Sequence, residues 1–290
     1  MTTLIHHIAE VRDALDQERA NGRTIGFVPT MGALHSGHLS LIERTRAECD
    51  VVVVSVFVNP LQFGPSEDFS KYPRTLEEDT KLCEEVKADI VFAPSVDEMY
   101  PAEPLVTLSA GRLGTILCGH TRPGHFDGVA TVVAKLFNAT GRCRAYFGRK
   151  DAQQLVVIKA LVRDLGMPVE VIGCDTVREP DGVAMSSRNR YLNGEERTAA
   201  SVLYRALNDG LDAIKAGNAD PVQVASAMAG TISSEPLARL DYAACVDAED
   251  LQQVTAVEKT VLLAVAAWIG SARLIDNVTA TPQGAAIQEV

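Results

Sequence analysis

Along the first 176 residues, short apolar runs alternate with stretches in which apolar residues recur every three or four positions. The run at 51–58 (Val51, Val52, Val53, Val54, Ser55, Val56, Phe57, Val58) is almost continuous and β-branched. That composition predicts a parallel strand buried on both faces. Runs at 24–28, 89–93, 145–147 and 169–173 predict further strands, and 105–108 a short edge strand. Helical spacing covers 4–20, where Ile5, Ile8, Val11 and Leu15 share a face, then 38–48, 76–88, 126–137 and 155–165. The segment 119–124 reads as loop. A strand–helix rhythm of this kind predicts an α/β fold with a Rossmann-like, doubly wound parallel sheet over residues 1–176. Beyond it the pattern changes. A polar loop at 178–190 precedes a long helix over 195–216, and Asp220-Pro221 opens another, to about 233. Strand candidates follow at 238–246, 260–265 and 273–278, so residues 177–290 are expected to form a smaller α+β domain. The tail after 279 is expected to fray.

Composition narrows the function classes. Formal net charge is −11, and no basic stripe interrupts it, which argues against a general nucleic-acid binder. The apolar runs at 51–58 and 261–269 are too short to span a bilayer. The six cysteines are dispersed without a CxxC pair, and residues 1–10 lack the apolar core of a secretory signal. Reduced thiols, a cytoplasmic location and no membrane partner are therefore expected.

Four constellations stand just after predicted strands or in the polar loop, where a doubly wound sheet binds ligands. The first is Pro29, Thr30, Met31, Gly32, Ala33, Leu34, His35, Ser36, Gly37 and His38. A strand, a glycine-containing turn and a helix start with two histidines on one side make a phosphate site. There, unpartnered backbone N–H groups and imidazole N–H groups would both donate. Against it stands the ordinary reading of a histidine near a helix start, a surface or capping residue. The second constellation is Asn59-Pro60-Leu61-Gln62, whose amides suit a small polar substrate, although Asn-Pro also starts turns regardless of function. The third is Gly148-Arg149-Lys150-Asp151, followed by Gln153 and Gln154. Here a lysine at a helix start can hold a phosphate, or form an exposed basic pair beside a cap. The fourth, Met185-Ser186-Ser187-Arg188, is either an anion clamp or a solvated linker. Glu77, Glu78 and Asp79 read best as a solvated acidic helix face, and His120 and His125 as structural.

Taken together, PTMGALHSGH, FVNPLQF, YPRT, RPGHFDGVATVV, KDAQQL and MSSRNRYL resemble the pantoate–β-alanine ligase (AMP-forming) family, in order and over nearly the whole chain. The HxGH turn alone also occurs in nucleotidylyltransferases and class I aminoacyl-tRNA synthetases, so another HxGH nucleotidylyltransferase is the alternative. The resemblance implies a two-step reaction in the coenzyme A pathway. Pantoate is adenylated by ATP with loss of pyrophosphate, and β-alanine then displaces AMP. It implies that residues 29–38 line the ATP site, with His35 and His38 catalytic at the phosphates. Gly148, Arg149, Lys150 and Asp151 would bind nucleotide, and Val177 the adenine. Met185, Ser186, Ser187 and Arg188 would close over the triphosphate. Gln62, Gln154 and Asn59 would hold pantoate and β-alanine. It further implies Mg²⁺, with Glu78 or Asp79 as ligand, and a homodimer. Arg149 stands where the family usually has an acidic residue, and Glu78 where an aspartate is usual.

Overall fold

The valine-rich run becomes the inner strand that its composition predicts. In the computed structural model, which describes residues 2–64 and 69–286, β3 (Val51–Val56) is buried along almost its whole length. Residues 65–68 and 287–290 lie outside the described residues. The chain divides into two compact units, Met1–Arg149 with Val157–Cys174, and Lys150–Val156 with Asp175–Val290.

In the first unit β3 lies in a six-stranded sheet with β1 (Thr3–Ile5), β2 (Ile25–Thr30), β4 (Ile90–Phe92), β5 (Cys143–Gly148) and β6 (Val169–Cys174). The order is β1-β4-β3-β2-β5-β6, and every neighbouring pair is parallel. Side chains alternate across it. Val28, Val52, Val54 and Val91 pack with Leu41 and Ile42 of α2 (Ser36–Glu48) and Cys83 of α3 (Leu76–Glu85). On the other face Phe27 meets Phe137 of α6 (His125–Thr140) edge to face, and α1 (Ile8–Ala20) packs on α6. Strand order reverses between β2 and β5, so their carboxyl ends open the crevice in which such sheets bind ligands. The histidine turn follows β2, and Arg149 follows β5.

The second unit packs α9 (Val202–Lys215) and α10 (Pro221–Ser233) on an antiparallel sheet of β7 (Ala238–Asp247), β8 (Val261–Ile269) and β9 (Ala272–Ala280). Leu207, Leu211, Met228 and Ile232 meet Leu263, Val265 and Ile269 in its core. Asp220 caps α10 by accepting from Val222 N–H at 2.9 Å, with Pro221 in the first turn, as Asp-Pro predicts.

Several expectations are corrected. Residues 4–20 are not one helix. Thr3, Leu4 and Ile5 pair with Ile90, Val91 and Phe92 as an edge strand, and the helix starts after His7. Residues 105–108 form no strand. Leu105 is 98% exposed, and Leu108 N–H donates to the Thr131 hydroxyl instead of to a ladder. Two one-turn helices follow β4, α4 (Val96–Met99) and α5 (Cys118–Thr121), and the 119–124 segment begins inside the second. The helix over 195–216 is two, α8 (Gly194–Ala199) and α9, broken at Ala200-Ser201. In the tail, Thr279 and Ala280 end β9, and Ala286 bridges back to Ala280. All six cysteines are free and buried. Among the described residues, no helix is long and apolar enough to cross a membrane.

Candidate active site

The turn between β2 and α2 is held by side chains at almost every backbone amide. Gly32 N–H donates to the Thr30 hydroxyl at 3.1 Å, and that hydroxyl donates to the Ser55 carbonyl of β3 at 2.7 Å. Ala33 and Leu34 N–H donate to the two carboxylate oxygens of Asp79, at 3.0 and 2.8 Å. Asp79 is only 1% exposed, and the Thr75 hydroxyl donates to it at 3.3 Å. These bonds fix two consecutive left-handed residues, Gly32 at φ 82° and Ala33 at φ 51°. A Cβ at Gly32 would sit 2.9 Å from both the Asp79 carboxylate and Val56, so glycine is required there for space as well as for φ.

The histidines form the helix cap themselves. Gly37 N–H donates to His35 Nδ1 at 3.2 Å, and His35 N–H donates to His38 Nδ1 at 3.3 Å, a reciprocal capping box built from imidazoles. The rings lie 4.1 Å apart, centroid to centroid. A backbone N–H can only donate, so each Nδ1 accepts, and each neutral ring carries its proton on Nε2. This changes the expected chemistry of the turn. Its backbone N–H groups are largely satisfied within the protein, and the donors suited to a phosphate are the Nε2–H groups.

Beside the turn, Asn59 closes a second network in the first unit. Its Nδ2 donates to Gln62 Oε1 at 3.3 Å and to the Gly128 carbonyl at 3.1 Å. Its Oδ1 accepts from Leu61 N–H at 3.3 Å and from the Tyr100 hydroxyl at 2.9 Å. Four bonds exhaust an asparagine amide, so Asn59 positions its neighbours and has no donor or acceptor left for a ligand. Burial pushes the Tyr100 phenol up to about 12, which keeps it a neutral donor. With Oε1 turned to Asn59, Gln62 directs Nε2 to the Met31 sulfur at 2.7 Å. Its backbone carbonyl accepts from His125 Nδ1 at 2.8 Å, and His125 Nε2 lies 2.9 Å from an Arg122 guanidinium nitrogen. At Gly128 the helix α6 comes so close that a Cβ would fall 2.2 Å from the Leu61 carbonyl. Nothing in the residue pattern pointed to Tyr100, Gly128 or Asp79 as supports. Gly128 lay inside the RPGHFDGVATVV stretch, and Asp79 stood out only as a metal candidate close to YPRT.

The remaining candidates, Lys150, Asp151, Gln154, Val177, Met185, Ser186, Ser187 and Arg188, belong to the second unit, while Gly148 and Arg149 belong to the first. Lys150 and Asp151 lie in a single 3-10 turn before α7 (Ala152–Asp164), with the ammonium 3.7 Å from Asp151 Oδ1. A Cβ at Gly148 would meet nothing within 4 Å, so this glycine leaves open space beside the strand end. The Met185–Arg188 loop is tied at its base. Arg178 pairs with Ala184 in a β-bridge, Met185 N–H donates to the Val177 carbonyl at 3.0 Å, and Ser186 Oγ accepts from Arg188 N–H at 3.3 Å. Arg178 also grips Asp276 of β9 with two bonds, at 2.6 and 3.0 Å, and lies over the Tyr204 ring. Burial raises the Asp276 carboxyl, and the Arg178 guanidinium opposes the shift. Of the two metal candidates, Asp79 has both oxygens on the turn, and Glu78 is exposed. Among the described residues, no three His, Cys, Asp or Glu side chains gather as a metal site.

The "Pantoate-beta-alanine ligase" family model matches residues 3–279. A pantothenate synthetase of Thermotoga neapolitana is 52% identical over 94% of this chain and 98% of its own length. A solved pantothenate synthetase of Thermus thermophilus is 48% identical, covers 96% of this chain and 99% of its own, and superposes with a TM-score of 0.89. A pantoate–β-alanine ligase of Francisella tularensis, solved in complex with β-γ ATP and β-alanine, is 34% identical over 96% of this chain and 97% of its own, with a TM-score of 0.78.

Proposed function

The chain belongs to the pantoate–β-alanine ligase family, and we propose a division of the ligation between the histidine turn and the residues of the second unit. The enzyme condenses pantoate with β-alanine, using ATP as a substrate and forming AMP. In the first step the pantoate carboxylate attacks the α-phosphorus of ATP, and pyrophosphate leaves. In the second the amine of β-alanine attacks the acyl carbon, and AMP leaves. No nucleophilic side chain is needed, because substrate groups make both attacks.

The observation that supports the first step most directly is the capping box. It holds His35 and His38 as neutral rings with the proton on Nε2, so they donate to phosphate oxygens without a proton transfer. Lys150 adds a point charge at the phosphates, with Gly148, Arg149 and Asp151 beside it, and Val177 touches the adenine. The Met185, Ser186, Ser187 and Arg188 loop supplies hydroxyls and a guanidinium for the departing pyrophosphate. Donors placed where charge develops lower the barrier more than they tighten ground-state binding. Gln62 and Gln154 hold pantoate, and Asn59 acts through Gln62. Magnesium enters as part of the substrate, carried on the triphosphate. That fits the commitment of Asp79 to the turn and leaves Glu78 as the one carboxylate of the pair open to it. We assign the enzyme to the cytoplasm, where its six buried free thiols remain reduced. We also propose a homodimer that covers Leu105 and Val106, 98% and 83% exposed.

Pyrophosphate exchange tests this reading. Labelled pyrophosphate should enter ATP only when pantoate is present, and AMP should accumulate only once β-alanine is added. Exchange without pantoate would instead support a plain nucleotidylyltransferase.

A further inference from the structure

Lys150 sits in a single 3-10 turn, where the ladder of a longer helix is not available to hold its backbone. What holds it is a side chain from far along the chain. Asn277 of β9 donates from Nδ2 to the Lys150 carbonyl at 2.8 Å. Asn277 is itself 8% exposed, and its backbone is gripped from two directions. Its N–H donates to Asp276 Oδ1 at 2.8 Å, and its carbonyl accepts from Arg178 Nη2 at 3.3 Å. The same guanidinium donates to the Gly182 carbonyl at 2.9 Å and makes the paired bonds to Asp276. Gly182 sits at φ 88°, with no room for a Cβ beside the Tyr204 ring, and that ring underlies Arg178. One buried cluster therefore ties the Lys150 carbonyl to β9, and β9 to the hairpin that leads into Met185. All of it lies within the second unit.

A hydrogen bond to the backbone carbonyl of a long, flexible lysine fixes where the side chain begins, and so limits where its ammonium can reach. Position matters for this group, since a donor displaced by about 1 Å loses much of its effect on a transition state. The pairing of Asp276 with Arg178 also explains why a carboxylate is tolerated at 3% exposure. Its charge is compensated, and the Asn277 N–H adds a further donor to the same oxygen.

We propose that Asn277 is a positioning residue for Lys150, holding its carbonyl from a β9 strand that the Arg178–Asp276 pair locks to the base of the Met185–Arg188 loop. This rests on the phosphate role given to Lys150 above. It predicts that Asn277 acts on adenylation through Lys150 and through nothing else.

The test is a double-mutant cycle on the full chain, read by pantoate-dependent pyrophosphate exchange, with thermal unfolding measured in parallel. Asn277→Ala should lower the exchange rate about tenfold, as expected for one hydrogen bond. The KM for pantoate should stay within about twofold. In a Lys150→Ala background the same substitution should change the rate by less than about twofold. Asn277→Ser, which keeps a shorter donor, should recover part of the loss, and it decides the question if Asn277→Ala lowers the unfolding temperature appreciably. Equal losses in both backgrounds, or an unchanged exchange rate in a folded Asn277→Ala, would overturn the proposal. A Lys150→Ala enzyme with full exchange would remove the underlying reading instead, and that outcome is visible in the single mutant alone.

Discussion

The histidine turn and the Lys150 turn serve the same phosphates in the proposed reaction, yet they are built on opposite plans. The histidine turn is braced from inside. Thr30, Asp79 and the two imidazoles satisfy its amides one after another, and its left-handed pair allows no other path. Its donors are neutral, on short side chains whose rings accept from the backbone. The Lys150 turn is braced from outside, by one carbonyl bond from β9, and its donor is a full charge at the end of a long stem. Rigid neutral donors suit a phosphate whose position must be defined. A flexible cation suits charge that moves from the α-phosphate to a leaving pyrophosphate. A buried brace also contributes to folding, whereas a charge at the end of a stem contributes little. Rate and stability should therefore separate differently in the two regions.

The largest effect is expected at Lys150. Lys150→Ala should lower adenylation by about 10²–10³-fold and leave the unfolding temperature nearly unchanged. A large drop in that temperature would mean that the two turns do not differ as described. Asp79→Asn should lower both. It retains the shape but turns an NH₂ toward an amide that needs an acceptor, at a cost of about 2 kcal/mol. For a chain of this size that is a fall of about 4–8 °C, together with a loss of about 10²-fold in exchange rate. Normal exchange in a destabilised Asp79→Asn would reduce the brace to a folding element. Gln62→Ala should raise the KM for pantoate about tenfold and that for ATP much less. Equal changes would contradict the assignment of the Asn59–Gln62 network to the organic substrate.

The smallest effect is at the hairpin before Met185. The hydrogen bond from Arg197 is the largest cause lowering the Asp181 carboxyl below its ordinary value of 3.8. A depressed carboxylate contributes its stability above the ordinary value and loses it as pH falls below. Asp181→Asn should therefore cost less than about 1 kcal/mol at neutral pH, since both partners are partly exposed, and the cost should shrink as pH falls below the ordinary carboxylate value. A pH-independent cost would place the loss in packing instead of charge.

Where the chain repeats a strong local period, the sequence was readable. The β-branched run at 51–58 pointed to an inner strand, and the rhythm around it pointed to the parallel sheet that forms. Three-residue elements were not readable. β1 vanished into the spacing of α1, because Ile5 also falls on the apolar face of that helix. The break at Ala200-Ser201 was hidden because alanine and serine leave helical spacing intact. At the proposed site, His35, His38, Gln62 and Lys150 were legible as candidates just after strands, and Met185–Arg188 as a candidate in the polar loop. Their supports were not. Asp79 looked like part of a solvated acidic face until its oxygens were found on Ala33 and Leu34, and Asn277 lies 127 residues from the carbonyl it holds. Long-range bonds from side chain to backbone leave no periodic trace.

The central claim is that an acyl adenylate links the two steps, and the fate of the pantoate oxygen tests it most directly. Pantoate labelled with ¹⁸O in both carboxylate oxygens should be converted with ATP and β-alanine, and the AMP examined by mass spectrometry. Attack of the carboxylate on the α-phosphorus, followed by cleavage of the carbon–oxygen bond, leaves one ¹⁸O in each AMP. AMP without label, or label in the pyrophosphate, would contradict the account.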